Sequence, residues 1–276
     1  MTGVPQAVAE TFVLFGVAHW FVFAAIGGTT AFLSWLLRRV AWRGDDRLWR
    51  PAICWSLAAI LVVGAAVAEF QRVAEGTWSL QESLPLHLCD IAILVTAAAL
   101  IGAGLNAGPR TIWHRLYELS WVWALGGTSQ AVLTPDLSVN FPNAECVRYF
   151  LLHGTIVVSA LVMTFGLRMR PQPGTPLRVW LVTLALAVVI MLVNWATGAN
   201  YMYLRGPPAH PSLFDYFGPW PWSLLSLAVA GTVLILACYA PFWLLDRLRC
   251  RAAGGRASRR AAARQEPRPP GAVQHP

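Results

Sequence analysis

Lysine is absent from this chain, and charged residues of every kind are scarce. All 21 basic residues are arginines, and charged residues make up 12% of the 276 positions against 57% hydrophobic residues. Soluble domains usually carry about a quarter charged residues. The low charge and the long apolar runs therefore exclude an ordinary soluble domain and predict an all-α, polytopic membrane protein.

Signals for secretion, metal binding and nucleotide binding are also missing. The first basic residue is Arg38, so no positively charged region precedes the first apolar run and no cleaved signal peptide is predicted. The five cysteines show no CxxC spacing, and no Walker, GxGxxG, HExxH or GxSxG pattern occurs. We therefore predict no metal site, no disulfide framework and no cofactor.

Seven apolar runs reach the roughly 20 residues that a helix needs to cross a bilayer. They lie near residues 12–37, 51–73, 84–105, 112–134, 147–168, 177–197 and 222–246. Arginines are concentrated after the first, third, fifth and seventh runs, and the positive-inside rule places those connections in the cytoplasm. The sequence thus predicts seven transmembrane helices, with the N-terminus outside and the C-terminus cytoplasmic. The use of arginine in place of lysine is typical of GC-rich bacterial coding, so the membrane is predicted to be the bacterial cytoplasmic membrane.

The net charge of +8 follows from these connections and from the C-terminal segment, and it requires no nucleic-acid partner. Residues 1–250 are predicted to form the seven-helix transmembrane domain. Residues 251–276 are rich in Arg, Ala and Pro and offer little to bury, so we predict a disordered cytoplasmic tail.

Polar side chains recur at the predicted outer ends of six spans. An ionisable residue within a span costs roughly 2.5–3.5 kcal/mol on insertion scales, so each one requires a reason. The two interpretations are a polar cavity at the outer-leaflet level and scattered polar contacts between helices. We favour the cavity because the residues share one depth. They include His19, Glu69, Arg72, His87, Cys89, Asp90, Gln130, Arg148, Tyr149, His153, Asn194, Asn200 and Tyr201.

Cys89 is the candidate nucleophile. Pro85 suits the first turn of a helix and Ser83 is a plausible cap, which would place Cys89 about one turn from a helix N-terminus. That end of the helix dipole favours a thiolate. The alternatives are a buried structural thiol and a disulfide to Cys146, the other cysteine on the predicted outer side.

Two histidines are candidate bases. His87 and Cys89 are two residues apart, about 200° around a regular helix, so their side chains diverge. His87 shares a helix face with Asp90, which could orient it. His153 lies on another span and can face Cys89, so it is the preferred base. Both histidines could instead be hydrogen-bonded between helices.

The candidates for substrate binding or oxyanion stabilisation are Asn200, Tyr201, Asp90, Gln130 and Tyr149. Side chains of these types can donate hydrogen bonds to an oxyanion or line a polar pocket. Asn200 and Tyr201 can equally serve to cap their own loop. A separate pair, Glu69 and Arg72, is three residues apart and predicted to join on one helix face.

Five motifs occur in order along the chain: LPLHLCD (84–90), GGTSQAVLTPDL (126–137), YFLLHG (149–154), NYMYLRGPP (200–208) and GPWPW (218–222). Together they resemble the YwaF-like family of bacterial integral membrane proteins, which has seven predicted spans and is related to eukaryotic transmembrane protein 164. The resemblance covers roughly residues 10–246.

The eukaryotic relative is described as an acyltransferase that moves a fatty acyl chain between phospholipids. Its essential cysteine lies in the motif that here contains Cys89, and His87 and His153 match histidine positions of the family. The resemblance therefore implies a phospholipid acyltransferase, or a lipase if water is the acceptor, with a thioester on Cys89. The implied partners are membrane phospholipids, and the oligomeric state stays open.

The alternative is a non-enzymatic transporter or lipid-binding protein, with the polar cluster as its substrate pocket. The sequence shows no internal repeat of the kind that many transporters carry.

Overall fold

The computed structural model describes residues 12–135, 137–207 and 216–265, with side chains up to residue 251. These residues contain helices and turns and no β-strand. Two of the helices continue into a π-helical turn, and one short 3-10 helix follows α7. The elements are α1 (Val17–Arg43), α2 (Asp46–Ala74), α3 (Leu88–Gly104), α4 (Ile112–Trp123), the first π turn (Ala124–Thr128), α5 (Ser129–Leu133), α6 (Ala144–Leu161), the second π turn (Val162–Gly166), α7 (Thr175–Thr197), the 3-10 helix (Tyr201–Tyr203) and α8 (Trp222–Gln265).

Five of these helical stretches are long and apolar enough to cross a membrane: Val17–Arg43, Asp46–Ala74, Ala144–Gly166, Thr175–Thr197 and Trp222–Arg251. The helix α3 is apolar but shorter, and α4 and α5 join through the first π turn into one helical run. The described residues thus form an all-helical, multi-pass membrane protein, with seven helical runs where the sequence has seven apolar runs.

The helix ends differ from the apolar runs because a helix continues through polar residues. The helix α2 begins at Asp46, ahead of the predicted start at residue 51, and Pro51 lies within it. At the other end of the chain, α8 continues to Gln265, past the predicted end at 246 and into the segment predicted as a tail. Residues 266–276 of that segment lie outside the described residues.

Small residues let α3 pack closely against α2 and α4. Its sequence contains seven Ala or Gly residues between Leu88 and Gly104, and its alanines at 92, 97, 99 and 103 are buried. A Cβ on Gly102 would overlap the Cβ of Trp113 on α4. Within a bilayer no hydrophobic force drives helices together, so close packing and interhelical hydrogen bonds hold them instead. One such bond joins the hydroxyl groups of Thr96 and Ser120 at 2.8 Å.

Large apolar side chains cover the outside of the helices. On α7, Trp195 is 80% exposed and Leu192 is 62% exposed. Contiguous apolar surface of this kind marks contact with a membrane or a partner. This exposed apolar surface agrees with the length of α7, which is sufficient to cross a membrane.

Side-chain contacts tie the helix ends together at the end where α3 begins, which we call the Cys89 end. There Arg148 of α6 donates a hydrogen bond to Gln71 of α2. In α1, His19 is fully buried, and its Nε2 donates to the carbonyl of Val132 in α5 at 2.7 Å. Two of the polar residues predicted at outer span ends, His19 and Arg148, thus make contacts between helices at this end.

The opposite end, which we call the arginine-rich end, contains a buried carboxylate. Glu118 of α4 is 1% exposed and accepts hydrogen bonds from Arg115, Arg178 and the backbone N–H of Gln172, at 3.0–3.3 Å. The charge of Glu118 is thus compensated by two guanidinium groups, which a buried carboxylate needs.

The chain separates into two compact units, Met1–Cys238 and Tyr239–Pro276. Within the second unit, α8 contains Pro241, and the guanidinium of Arg247 lies 4.8 Å from the ring centre of Trp243.

Candidate functional site

The segment before Cys89 is a turn and not part of a helix. His87, with extended backbone, caps α3. Ser83 and Pro85 were predicted to form the cap and the first turn, and this prediction is wrong. The Ser83 hydroxyl instead accepts a hydrogen bond from the backbone N–H of Ser79 at 3.0 Å and closes a local turn. Cys89 is consequently the second residue of α3, nearer to the N-terminus than predicted.

Tyr201 holds this turn in place from the 3-10 helix that follows α7. Its phenol is fully buried, accepts from the backbone N–H of Leu84 at 2.9 Å and donates to the carbonyl of Leu80 at 2.9 Å. Burial raises the pKa of Tyr201 above its ordinary value, so the phenol keeps the proton that it donates. The Asn194 amide holds the Tyr201 backbone in turn, at 2.8 and 2.9 Å.

Cys89 meets the first π turn. The thiol is half-buried and lies near the side chain of Thr128, which is 1% exposed. A Cβ on Gly127 would stand 3.4 Å from the Leu88 side chain, an ordinary contact distance, so the π turn lies directly beside the start of α3. Single π turns inside α-helices occur often at functional sites.

The start of α3 also offers backbone donors. The first N–H groups of any helix have no acceptor within it, and the backbone amides of Leu88 and Cys89 hold those positions. The amides of Asp90 and Ile91 donate to the His87 carbonyl, at 3.0 and 3.1 Å. Within the described part of the chain, the amides of Leu88 and Cys89 have no backbone acceptor, so they could bind an oxyanion near the Cys89 sulfur.

His87 packs among aromatic rings and charged groups. Its ring centre lies 5.4 Å from those of both Tyr201 and Tyr203. Asp90 was expected to orient the imidazole, but its Oδ2 accepts from the His87 backbone N–H at 3.3 Å, because a carboxylate three residues past the cap reaches back to the cap amide. Arg72 of α2 lies near enough to interact electrostatically with both residues.

The predicted pair on α2 is confirmed. Arg72 donates to Glu69 at 2.5 Å, and the two side chains are 44% and 35% exposed. The pair therefore borders the site with its charges mutually compensated, and an exposed pair of this kind adds little stability.

His153 and Tyr149 lie one turn apart on α6, as predicted, with ring centres 4.2 Å apart. The Tyr149 hydroxyl donates to the Ala131 carbonyl in α5 at 2.9 Å. His153 Nδ1 donates to the Tyr149 carbonyl at 2.8 Å, because a carbonyl oxygen can only accept. The proton on Nδ1 leaves Nε2 as an acceptor. Among the described residues, no hydrogen bond joins His153 or His87 to the Cys89 thiol.

The remaining predicted residues have local roles. Asn200 uses both ends of its amide within its own loop, donating to the Gly206 carbonyl at 3.0 Å and accepting from the Arg205 backbone at 2.9 Å. Gln130 is half-buried in α5, next to the Ala131 carbonyl that Tyr149 reaches. Cys146 is a buried free thiol and Cys89 is also free, so the alternative of a disulfide between them is wrong.

Thr128 was not among the predicted site residues. The motif GGTSQ carried a signal, because two glycines before a Thr, Ser and Gln interrupt an otherwise bulky apolar helix. Glycine inside a helix lowers its stability, which usually has a packing or functional reason. In the structure both glycines lie in the first π turn, beside Thr128.

Comparisons with known proteins identify the family of the chain. The family model described as the TMEM164 family matches residues 14–239, which include all seven helical runs as far as the start of the second unit. No curated protein and no solved structure matches the chain. The relation to transmembrane protein 164 that the five motifs indicated is therefore confirmed: the chain belongs to the TMEM164 family.

Proposed function

We propose that this protein transfers acyl chains between membrane phospholipids through a thioester on Cys89. The observation that carries the proposal is the position of the thiol. It lies in the first turn of α3, half-buried, against the Thr128 hydroxyl and beside the free backbone donors of Leu88 and Cys89. A nucleophile next to preorganised donors is the arrangement that acyl transfer requires.

The first half-reaction consumes one ester. The Cys89 sulfur attacks the carbonyl carbon of a phospholipid ester while its proton passes to a base. The tetrahedral intermediate carries its negative oxygen among the N–H groups of Leu88 and Cys89. Its collapse breaks the bond to the glycerol oxygen, which takes the proton from the base and leaves as a lysophospholipid. The acyl chain stays on sulfur as a thioester.

The second half-reaction restores the thiol. A hydroxyl group of an acceptor lysophospholipid gives its proton to the base and attacks the thioester carbon, and sulfur leaves and regains the proton. With water as acceptor the same steps release a fatty acid, which is lipase activity. Asp90 directly follows Cys89, and its negative charge makes a standing thiolate costly, so the base is needed in both halves.

His153 is the base that the hydrogen bonding favours. Its Nδ1 proton is held by the Tyr149 carbonyl, so Nε2 is fixed as the group that can accept a proton. His87 is the second candidate, and its ring packs against Tyr201 and Tyr203. Since neither histidine bonds to the thiol in the described structure, the substrate complex must bring one of them to the sulfur.

The orientation completes the proposal. The arginine-rich end would face the cytoplasm, and the Cys89 end would lie at the outer leaflet, with seven crossings and the N-terminus outside. Donor and acceptor lipids would then enter from the outer leaflet.

The test uses the purified full chain in phosphatidylcholine vesicles that contain a donor with deuterated acyl chains and an unlabelled lysophospholipid. Mass spectrometry follows the labelled chain to the acceptor. Cys89→Ala and Cys89→Ser are expected to abolish transfer, whereas Cys146→Ala, which removes another free thiol, is expected to retain it. Active wild-type protein should also carry a hydroxylamine-sensitive acyl adduct.

Transfer that persists in Cys89→Ala would refute the thioester mechanism. A wild-type protein that binds phospholipid but exchanges no acyl chain would favour the alternative, a lipid-binding or transport protein. His153→Ala and His87→Ala separate the two bases, because loss of the base lowers the rate of adduct formation and changes its pH profile.

A further inference from the structure

A groove lies at the arginine-rich end, which is the opposite end of the helices from Cys89. It has a volume of about 630 Å³ and is formed by the last turns of α1 and the second π turn. Three arginines and three aromatic rings dominate its walls. The lining consists of Ala31, Ser34, Trp35, Arg38, Arg39, Trp42, Phe165 and Arg168.

The charge of the groove is of one sign. Its lining residues, all within the described part of the chain, include three arginines and no acid. Two of the arginines are held in position: Arg38 Nε donates to the Phe165 carbonyl at 2.7 Å, and the Arg39 guanidinium lies 5.6 Å from the ring centre of Trp35. Uncompensated guanidinium groups on a preorganised frame bind phosphate well.

The floor of the groove contains an unsatisfied donor. Ser34 is 8% exposed, it lines the groove, and its buried hydroxyl has no hydrogen-bond partner among the described residues. It lies opposite Gly166, where an added Cβ would stand 3.5 Å from the Ser34 oxygen. A buried hydroxyl without a partner is costly, so an acceptor that reached it from the groove would stabilise it.

The walls suit a lipid better than a small anion. Trp35 is 54% exposed, Trp42 is 85% exposed and Phe165 is 49% exposed. Tryptophan beside arginine at the end of a membrane-crossing helix is typical of the membrane–water interface, where lipid headgroups lie. Basic pockets between helices on the cytoplasmic side are known to hold anionic headgroups.

We propose that this groove binds one anionic phospholipid of the adjacent leaflet, with the headgroup phosphate held by Arg38, Arg39, Arg168 and the Ser34 hydroxyl. The acyl chains then lie along the apolar surface beside Trp35 and Phe165. The site is separate from Cys89, so the proposal does not depend on the proposed activity.

The experiment titrates the purified full chain in detergent with phosphatidylglycerol, and separately with phosphatidylcholine of the same acyl chains, by native mass spectrometry. The wild type is expected to bind a first phosphatidylglycerol more tightly than phosphatidylcholine. Arg39→Gln with Arg168→Gln is expected to weaken that binding by at least about tenfold, because charge-assisted hydrogen bonds are lost. Ser34→Ala should weaken it by a smaller factor, about threefold.

The matched control is Arg43→Gln with Arg47→Gln, which removes the same charge at exposed positions near the same end but outside the lining. This variant should bind phosphatidylglycerol as the wild type does. Equal weakening in both double variants would overturn the proposal and show general surface attraction. Equal affinity for the two lipids would overturn it as well.

A third arm separates a lipid from a free anion. Inorganic phosphate is added at millimolar concentration to the preformed complex, and the bound phosphatidylglycerol is expected to remain. Complete displacement by inorganic phosphate would overturn the lipid assignment, because it would show that the groove recognises the phosphate group alone.

Discussion

Replacing Tyr201 with phenylalanine removes one oxygen atom from the support of the turn that leads into α3. The ring would stay in place, since it packs with Ile190 and Ala199 in a buried cluster. Two backbone groups would lose their partner: the N–H of Leu84 and the carbonyl of Leu80, both now 2.9 Å from the phenol oxygen. The consequence depends on which of the two groups water can reach.

Leu80 is 45% exposed, so water can replace the phenol at its carbonyl with little loss. Leu84 is half-buried, and its N–H would be left largely without a partner. An unsatisfied donor of this kind costs about 1–2 kcal/mol, which corresponds to an opening equilibrium of the turn that is about 5- to 30-fold larger. Hydrogen–deuterium exchange of a peptide covering residues 79–88 measures this equilibrium directly.

The Leu84 amide is expected to exchange about 5- to 30-fold faster in Tyr201→Phe than in the wild type, while amides in the middle of α3 are unchanged. The control is Tyr216→Phe, which removes the same atom from a residue that is 87% exposed. Equal exchange at Leu84 in the two variants would show that the phenol does not hold the turn.

Two further pairs of variants test the packing. Gly102→Ala adds a Cβ that overlaps the Trp113 Cβ, so it should lower stability by about 1–3 kcal/mol despite the better helix propensity of alanine. Gly28→Ala, with open space around it, should be neutral or stabilising. Two arginines that are only about a third exposed share the Glu118 carboxylate, and Glu118→Gln removes its charge. This variant should lower the free energy of unfolding by about 2–3 kcal/mol. Glu69→Gln, in an exposed pair, should cost less than about 1 kcal/mol.

Thermal unfolding of the purified protein in one detergent ranks all four variants. Equal unfolding temperatures for Gly102→Ala and Gly28→Ala would show that α3 and α4 do not pack closely at Gly102. Equal unfolding temperatures for Glu118→Gln and Glu69→Gln would show that the Glu118 carboxylate stabilises the protein no more than an exposed charge does.

The class of the protein and the placement of its helices followed from local properties of the chain. Hydropathy over about 20 residues decides whether a segment is stable in a bilayer, and it is read directly from consecutive residues. The apolar runs near 177–197 and 112–134 thus agree closely with α7 and with the joined α4 and α5. The Glu69–Arg72 pair and the stacked Tyr149–His153 pair follow from helical spacing alone, for the same reason.

The start of α3 could not be predicted in this way. Ser83, Pro85 and His87 are each acceptable near a helix N-terminus, and their intrinsic preferences differ by little. The choice depends on competing contacts: the Ser83 hydroxyl bonds to Ser79, and Tyr201, more than a hundred residues away, holds the Leu84 amide. Asn200 is a similar case, because its amide is taken up by its own loop.

The sequence by itself determined that the chain is a helical, multi-pass membrane protein. It also predicted a common depth for the polar residues and named one thiol and two histidines as candidates. Each of these depends on composition and spacing within a single segment. Only the tertiary structure decided that Thr128 meets Cys89 through a π turn, that Asp90 holds a backbone amide and not an imidazole, and that Ser34 faces an arginine groove. Those outcomes depend on which helices pack together and how closely. Small residues permit close packing, but no single segment specifies which helices become neighbours.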